Sequence, residues 1–121
     1  RSRWESLFMS RLDTNPNVLQ WASEAVHINY RNPFTNKNTI YVPDFFVLYM
    51  DANNRQHAEL WEIKPTKETS LQEAGRSARA QAAAIVNMAK WEAANKWCKQ
   101  QGIKFRVINE DDIFHQGGKR R

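Results

Sequence analysis

Cysteine is nearly missing from this sequence, in which Cys98 is the single one among 121 residues. An intrachain disulfide is therefore impossible, and so little cysteine fits a reducing compartment. No run of about 18 apolar residues occurs and no signal-peptide pattern opens the chain, so neither a membrane-spanning nor a secreted protein is indicated. The three histidines and Cys98 lack zinc-ligand spacing, and Cys98 is expected to be a packing residue.

Acidic residues are also in deficit, with 13 Asp and Glu against 18 Lys and Arg and a formal net charge of +5. A basic surface binds phosphate groups and releases counterions, which favours a nucleic-acid partner. A solvated basic face explains the same excess equally well. The length and the 41% apolar fraction are typical of one globular domain, spanning residues 1–121.

The first half of the chain is predicted to contain helices followed by three strands. Trp4, Leu7, Phe8 and Leu12 share one face of a helix within residues 3–12. Asn15 and Pro16 predict a second short helix through residue 20 or beyond, which would place Glu24 at the entry to the first strand. The strands are predicted at residues 25–30, 39–50 and 57–63, with a turn at 31–38, and would form one antiparallel meander.

The second half is predicted to be a helix followed by a fourth strand. An apolar stripe marks a long helix over residues 71–101 that ends at Gly102, and its members are Ala82, Val86, Ala89, Ala93 and Trp97. The helix would return the strand at residues 103–108 parallel to the third strand. A short helix is predicted at residues 110–114, and a basic tail at 117–121. These elements predict an α/β domain with a mixed four-stranded sheet.

Charged residues interrupt the predicted strands near the middle of the chain. Asp44 lies early in the second strand and Glu62 and Lys64 end the third, so antiparallel pairing would bring them side by side. Two carboxylates with a backbone carbonyl are oxygen ligands suited to Mg²⁺ or Mn²⁺. A nearby lysine can orient water or stabilise phosphate charge, so the pattern predicts metal-assisted phosphodiester hydrolysis. An exposed charge pair at a sheet edge is the alternative.

Pro43 and Asp44, followed by Glu62, Ile63 and Lys64, resemble the motif of the PD-(D/E)XK nucleases. The order of the surrounding segments is similar to that of phage head-completion nucleases and of the TnsA-type transposon endonuclease subunit, and the resemblance covers residues 21–113. It implies a restriction-endonuclease-like core, with a mixed four-stranded sheet flanked by an N-terminal helix and one long helix. Residues 1–23 would be an N-terminal helical segment, 24–113 the catalytic core and 114–121 the basic tail.

The resemblance also implies a role for each site residue of a Mg²⁺-dependent DNA endonuclease, with Mn²⁺ as the alternative metal. Asp44 would be the central metal ligand, Glu62 the second and the Ile63 carbonyl a third. Glu24 would complete the metal site, and Lys64 would position or activate the attacking water.

Arg79 and Lys90 are eleven residues apart on the predicted long helix, about three turns, and so lie on one edge of its apolar stripe. Either is a candidate for nucleic-acid binding through a phosphate. The alternative is a solvated helix edge.

The substrate expected from the resemblance is duplex or branched DNA, with phage head or transposase proteins as further partners. The expected location is the host cytoplasm, with association with the virion as an addition. Because no tail is long enough for the extra module of the transposase subunit, we expect the phage group. A non-catalytic module that docks on DNA or a capsid is the competing hypothesis. Three carboxylates held together repel one another, and a module without chemistry has no need to keep them in one place, so this hypothesis is disfavoured. An RNA-directed enzyme stays open.

Overall fold

The computed structural model describes residues 3–109, apart from the side chain of Lys67. Its elements, in chain order, are α1 (Arg3–Thr14), β1 (Val18–Ser23), β2 (Ile28–Arg31), β3 (Asn38–Tyr41), β4 (Phe45–Met50), β5 (Gln56–Ile63), a short 3-10 turn (Thr66–Glu68), α2 (Leu71–Ala74), α3 (Ala78–Gln101) and β6 (Lys104–Ile108). The helix and tail predicted after residue 109 lie outside the described residues. Within the described part, no helix is long and apolar enough to cross a membrane.

Four strands form the main sheet, in the order β1-β4-β5-β6, and β2 and β3 pair with each other in a separate two-stranded sheet. The central strand β4 is antiparallel to both β1 and β5, and β6 is parallel to β5. The predicted fold class, a mixed four-stranded sheet with an N-terminal helix and one long helix, is confirmed. The predicted membership of the sheet is wrong in two places.

The first error concerns the short helix predicted after Asn15. The Asn15 side chain does organise the chain locally, since its Oδ1 accepts the Asn17 N–H at 2.9 Å, but the motif makes a turn. The chain then pairs with β4 as an edge strand, and Val18 and Trp21 pack against the core on the α1 side. Pairing along a central strand and burial of Trp21 outweigh a weak local capping signal. The N-terminal segment 1–23 therefore contains β1 as well as a helix.

The second error concerns the strand predicted over residues 39–50, which is broken at Pro43. Proline cannot donate a ladder hydrogen bond, so β3 ends at Tyr41 and the chain enters a different sheet at Phe45. The three predicted strands therefore do not form one meander. The first of them is also shorter than predicted and begins at Ile28.

The long helix is interrupted near its start. Gly75 adopts a left-handed φ of 63°, which ends α2, and the Ser77 hydroxyl caps α3 by accepting the Ala80 N–H at 3.1 Å. Gly102 ends α3 with φ 73°, as predicted. The buried face of α3 differs from the predicted stripe and consists of Ala80, Ala84, Asn87, Trp91, Ala94 and Cys98. Because Asn87 is polar, the apolar pattern of the sequence did not reveal this face. The buried Asn87 is satisfied by its Nδ2, which donates to the Glu68 carbonyl at 3.1 Å.

The main sheet is covered on both faces. On one face, Phe8 and Leu12 of α1 pack with Phe45, Val47 and other strand residues. On the other face, residues of α3 pack with strand residues and with the inner side of the β2–β3 hairpin; the buried members are Ile28, Tyr41, Leu60, Trp91, Ala94 and Cys98. Because side chains alternate along β5, Glu62 lies on the same face as Leu60 and therefore on the α3 side.

Candidate active site

Asp44 lies where three strands meet. It follows the buried Pro43 and directly precedes β4, one step beyond the register pair Phe45–Trp61. Its Oδ2 accepts the Ile63 N–H from the end of β5 at 2.8 Å, and its carbonyl accepts the Glu24 N–H at 3.0 Å just after β1. The main chain thus fixes Asp44 from both neighbouring strands.

Glu62 is 5% exposed near the end of β5. Its Oε1 accepts the hydroxyl of Tyr41 at 2.8 Å, and its Oε2 lies 3.7 Å from the Lys64 ammonium. Tyr41 is itself buried at the end of β3. The Trp91 indole N–H lies buried beside this hydroxyl and lowers its pKa, but has no hydrogen bond of good geometry among the described residues. Sequence reasoning missed Tyr41, because nothing in the local pattern links β3 to Glu62.

Burial and like charge shift the acidity of both carboxyl groups. Burial is the largest cause for each, raising the pKa of Asp44 to about 6 and the pKa of Glu62 to about 7. The charge of Asp44 raises the pKa of Glu62 further, while the Tyr41 hydroxyl and Lys64 lower it. The pKa of Tyr41 is raised by burial and by Glu62, so its hydroxyl keeps its proton and remains a donor. The two carboxylates are thus held together at an electrostatic cost.

Two lysines stand beside the carboxylates. Lys64 follows β5 directly, and Lys90 reaches the same place from α3. The Lys90 ammonium lies 5.6 Å from the ring centre of Tyr41 and 5.9 Å from that of Tyr30, within cation–π range. Burial, and next the charge of Lys64, lower the pKa of Lys90, while Glu62 and Asp44 oppose that shift. The structure therefore brings two cations and two carboxylates into one cluster.

Two further acidic residues act on Asp44. Glu24 is exposed just after β1 with a left-handed φ of 54°, and its charge contributes to the raised pKa of Asp44. It follows a strand, not the predicted helical segment. Glu5, in the first turn of α1, raises the pKa of Asp44 more than Glu24 does. Sequence reasoning missed Glu5, because an acidic residue in a first helical turn is also an ordinary choice for the helix dipole.

The other predicted site residues are Ile63 and the basic pair Arg79 and Lys90. The Ile63 main chain contacts Asp44 through its N–H, and a role for its carbonyl stays a prediction. Arg79 is exposed in the first turn of α3, eleven residues before Lys90, which corresponds to about 16 Å along the helix. At most one of these two basic residues therefore lies at the carboxylates. Within residues 3–109, no group of three or more His, Cys, Asp or Glu side chains is arranged to hold a metal ion.

Comparisons with known proteins identify the family of the chain. The family described as TnsA-like endonuclease N terminal matches residues 15–110. The chain is 35% identical over 130 residues to the head completion nuclease of Enterobacteria phage T4, covering 98% of this chain and 83% of that protein. No solved structure matches the chain. The family match spans most of the chain and includes Glu24, Asp44, Glu62 and Lys64, and the chain belongs to the TnsA-like endonuclease family of restriction-endonuclease-like fold.

Proposed function

We propose that this chain is a metal-dependent DNA endonuclease of the phage head-completion type, which hydrolyses phosphodiester bonds at Asp44, Glu62 and Lys64. The observation that carries the proposal is the pair of carboxylates, with Glu62 buried and Asp44 half-buried, oriented by the Tyr41 hydroxyl and the Ile63 N–H. Burying two like charges together is costly, and such perturbed groups concentrate at functional sites. A purely structural role gives no reason to keep them together.

The carboxylate pair fits a divalent metal ion. Mg²⁺ is usually held by one or two carboxylates, with waters and substrate phosphate oxygens in the remaining positions, so a cage of three protein ligands is not required. Asp44 and Glu62 would hold the ion, and Glu5 and Glu24 add negative charge near Asp44. When bound, the ion would polarise the phosphate and lower the pKa of a coordinated water. The choice of Mg²⁺ over Mn²⁺ belongs to this proposal, as does the Ile63 carbonyl as a further ligand.

Other residues of the chain would orient the carboxylates, position the water and contact the phosphate. Tyr41 and the Ile63 N–H each engage one oxygen of a carboxylate, which fixes the direction of both groups. Lys64, 3.7 Å from Glu62, positions the attacking water or stabilises the negative charge that develops on the phosphate. Lys90 is the better candidate for a phosphate contact, because it stands at the carboxylates whereas Arg79 lies about 16 Å along the helix.

The substrate we propose is duplex or branched DNA, cut inside the host cell, with proteins of the phage head as partners and association with the virion. The phage type is favoured over the transposon subunit because the phage nuclease aligns with 98% of this chain.

The direct test is cleavage of supercoiled plasmid and of a branched duplex, with Mg²⁺, with Mn²⁺ and with EDTA. We expect metal-dependent cutting that is lost in Glu62→Gln and in Lys64→Gln. Lys99→Gln is the matched control for Lys64, because Lys99 is an exposed lysine in the last turn of α3 and should cut normally. A wild type that binds DNA but never cuts with either metal would contradict the proposal and favour the docking module.

Metal binding has a readout that does not need activity. A ligand that binds only the folded state raises the melting temperature by mass action, so Mg²⁺ without DNA should stabilise the wild type. Asp44→Asn should remove most of this effect. Equal stabilisation of both proteins would place the metal elsewhere.

A further inference from the structure

The β2–β3 hairpin, here called the ribbon (residues 28–41), is a basic surface attached to the active site. The sequence contains no Asp or Glu between Glu24 and Asp44, although the chain has 13 acidic residues in total. The ribbon carries Arg31 and Lys37, both exposed. The charged side chains of the ribbon are therefore all positive, and the ribbon lies next to the carboxylates of the catalytic cluster.

The ribbon has one buried face and one uncovered face. Ile28 and Tyr41 oppose each other and pack in the core against α3. The alternate positions form the outer face, which consists of the cross-strand pairs Asn29–Ile40 and Arg31–Asn38, all exposed. Ile40 is 57% exposed on this face. A surface of amide, guanidinium and apolar groups without carboxylates is suited to nucleic acid, whose recognition uses such donors on phosphates.

The tip of the ribbon holds an aromatic side chain in a defined turn. Asn32 Oδ1 accepts the N–H groups of Phe34 at 2.8 Å and Thr35 at 3.2 Å. Arg31 Nε donates to Asn36 Oδ1 at 2.7 Å and ties the two sides of the turn together. This network presents Phe34, which is 59% exposed, at the end of the ribbon. More than half of this aromatic side chain is therefore open to a partner.

We propose that the ribbon binds the DNA duplex beside the scissile phosphate. Its outer face would lie in a groove, Arg31 and Lys37 would contact phosphates, and Phe34 would pack against a base or sugar. This proposal rests on the proposed nuclease function. A two-stranded β-ribbon matches the width of the major groove, and apolar side chains such as Phe can insert between base steps of a duplex.

The position of the ribbon relative to the catalytic cluster supports this occupant. Tyr41, its last residue, donates to Glu62, and Asp44 follows three residues later. From Tyr41 to the pair Arg31–Asn38 the ribbon extends about 10 Å, or roughly three base pairs, at about 3.3 Å per strand residue and 3.4 Å per base pair. DNA bound to the ribbon would therefore lie within a few base pairs of Asp44 and Glu62.

The test compares DNA binding by two ribbon variants with matched controls. Arg31→Gln/Lys37→Gln removes two charges from the ribbon, and Lys99→Gln/Lys104→Gln removes two exposed charges outside it, at the end of α3 and the start of β6. Phe34→Ala is paired with Leu19→Ala, which removes another exposed apolar side chain. Binding of a labelled duplex is measured by fluorescence anisotropy in EDTA at several salt concentrations, and melting temperatures check folding.

We expect the ribbon charge variant to weaken binding and to lower the slope of log K against log salt by about 1.8, at roughly 0.9 for each lost phosphate contact. Phe34→Ala should weaken binding roughly 10-fold. Both variants should raise KM in cleavage and leave kcat nearly unchanged, because they do not touch the catalytic cluster. The control variants should bind and cut like the wild type.

Wild-type affinity and salt slope in the ribbon variants would overturn the proposal, as would an equal loss in the controls. A wild type that does not bind duplex DNA would overturn it too. The nuclease function fails separately: a wild type that binds through the ribbon but cuts with neither metal refutes catalysis and leaves the ribbon proposal standing.

Discussion

Replacing Glu62 with Gln is expected to stabilise the metal-free protein at alkaline pH while removing its chemistry. Glu62 is almost fully buried, and its pKa is raised from 4.5 to about 7, chiefly by burial and next by Asp44. The charged form is therefore disfavoured in the folded state. A neutral amide of the same shape avoids that cost, and its oxygen can still accept the Tyr41 hydroxyl.

The magnitude follows from linkage. An acid whose folded pKa is raised keeps its proton in the folded state at pH values where the unfolded state has lost it. The stability of the wild type therefore falls as pH rises from about 4.5 through about 7. Each unit of pKa difference corresponds to about 1.4 kcal/mol, so Glu62→Gln should gain about 1 kcal/mol at pH 5 and about 3 kcal/mol at pH 8.

The assay is urea unfolding of both proteins at pH 5 and pH 8 in EDTA, which keeps divalent metal away from the carboxylates. At pH 8 the expected gain corresponds to a rise in melting temperature of roughly 10 °C. Added Mg²⁺ should narrow the gap, because the metal stabilises only the charged pair of the wild type.

Glu59→Gln is the matched control. Glu59 lies on the same strand and is 4% exposed, but it accepts hydrogen bonds from the Tyr49 hydroxyl at 2.8 Å and the Trp61 indole at 2.7 Å, and Arg106 lies 3.4 Å away. Its replacement should destabilise the protein by about 1–3 kcal/mol, because an amide cannot accept from all three donors. If Glu62→Gln is no more stable than the wild type at pH 8, the desolvation argument for the site is refuted.

Two further predictions concern the surroundings of Glu62. Lys90→Gln should slow single-turnover cleavage about 100-fold, because it removes a positive charge directed at the phosphate. Arg79→Gln should stay within about 3-fold of the wild type. Equal effects of the two substitutions would contradict the placement of Lys90 at the site. Tyr41→Phe removes a hydrogen bond that lowers the pKa of Glu62, so the pH-dependent loss of stability in EDTA should extend about one unit higher. An unchanged stability curve would show that this hydroxyl does not hold the carboxylate.

The cluster of Asp44, Glu62 and Lys64 was predictable because it depends on short-range rules. Side chains two apart on a strand point to the same side, which puts Glu62 beside Lys64, and antiparallel pairing of β4 with β5 brings Asp44 next to them. The structure brings these residues together as expected. Their chemical roles stay predictions until cleavage is measured.

Contacts between distant parts of the chain were not predictable in the same way. Glu5, Tyr41 and Lys90 come from α1, β3 and α3, and only the folded packing places them around Glu62 and Asp44. Lys90 was predicted as a candidate for an incorrect reason. The prediction placed it at the edge of an apolar stripe, and that stripe differs from the face of α3 that is buried.

The strand at residues 18–23 shows a different limit. Its local signals, Asn15 and Pro16, are real and form a turn, but they fit the start of a helix equally well. Pairing with β4, which decides between the two, involves residues more than twenty positions away. Local propensity cannot settle such a choice when a central strand offers both hydrogen bonds and a core for Trp21.

The buried end of the ribbon links the two proposals physically. Tyr41 packs in the core with Leu60 and Trp91 and donates to Glu62, so the strand that would meet DNA also orients the carboxylate that we propose to be catalytic. A flexible loop would leave the distance between bound DNA and the carboxylates undefined, whereas a core-anchored strand fixes it. The burial of Glu62 disfavours its charged form but would also give the carboxylate a fixed position. The same packing that raises its pKa would also hold it in place if DNA binds at the ribbon.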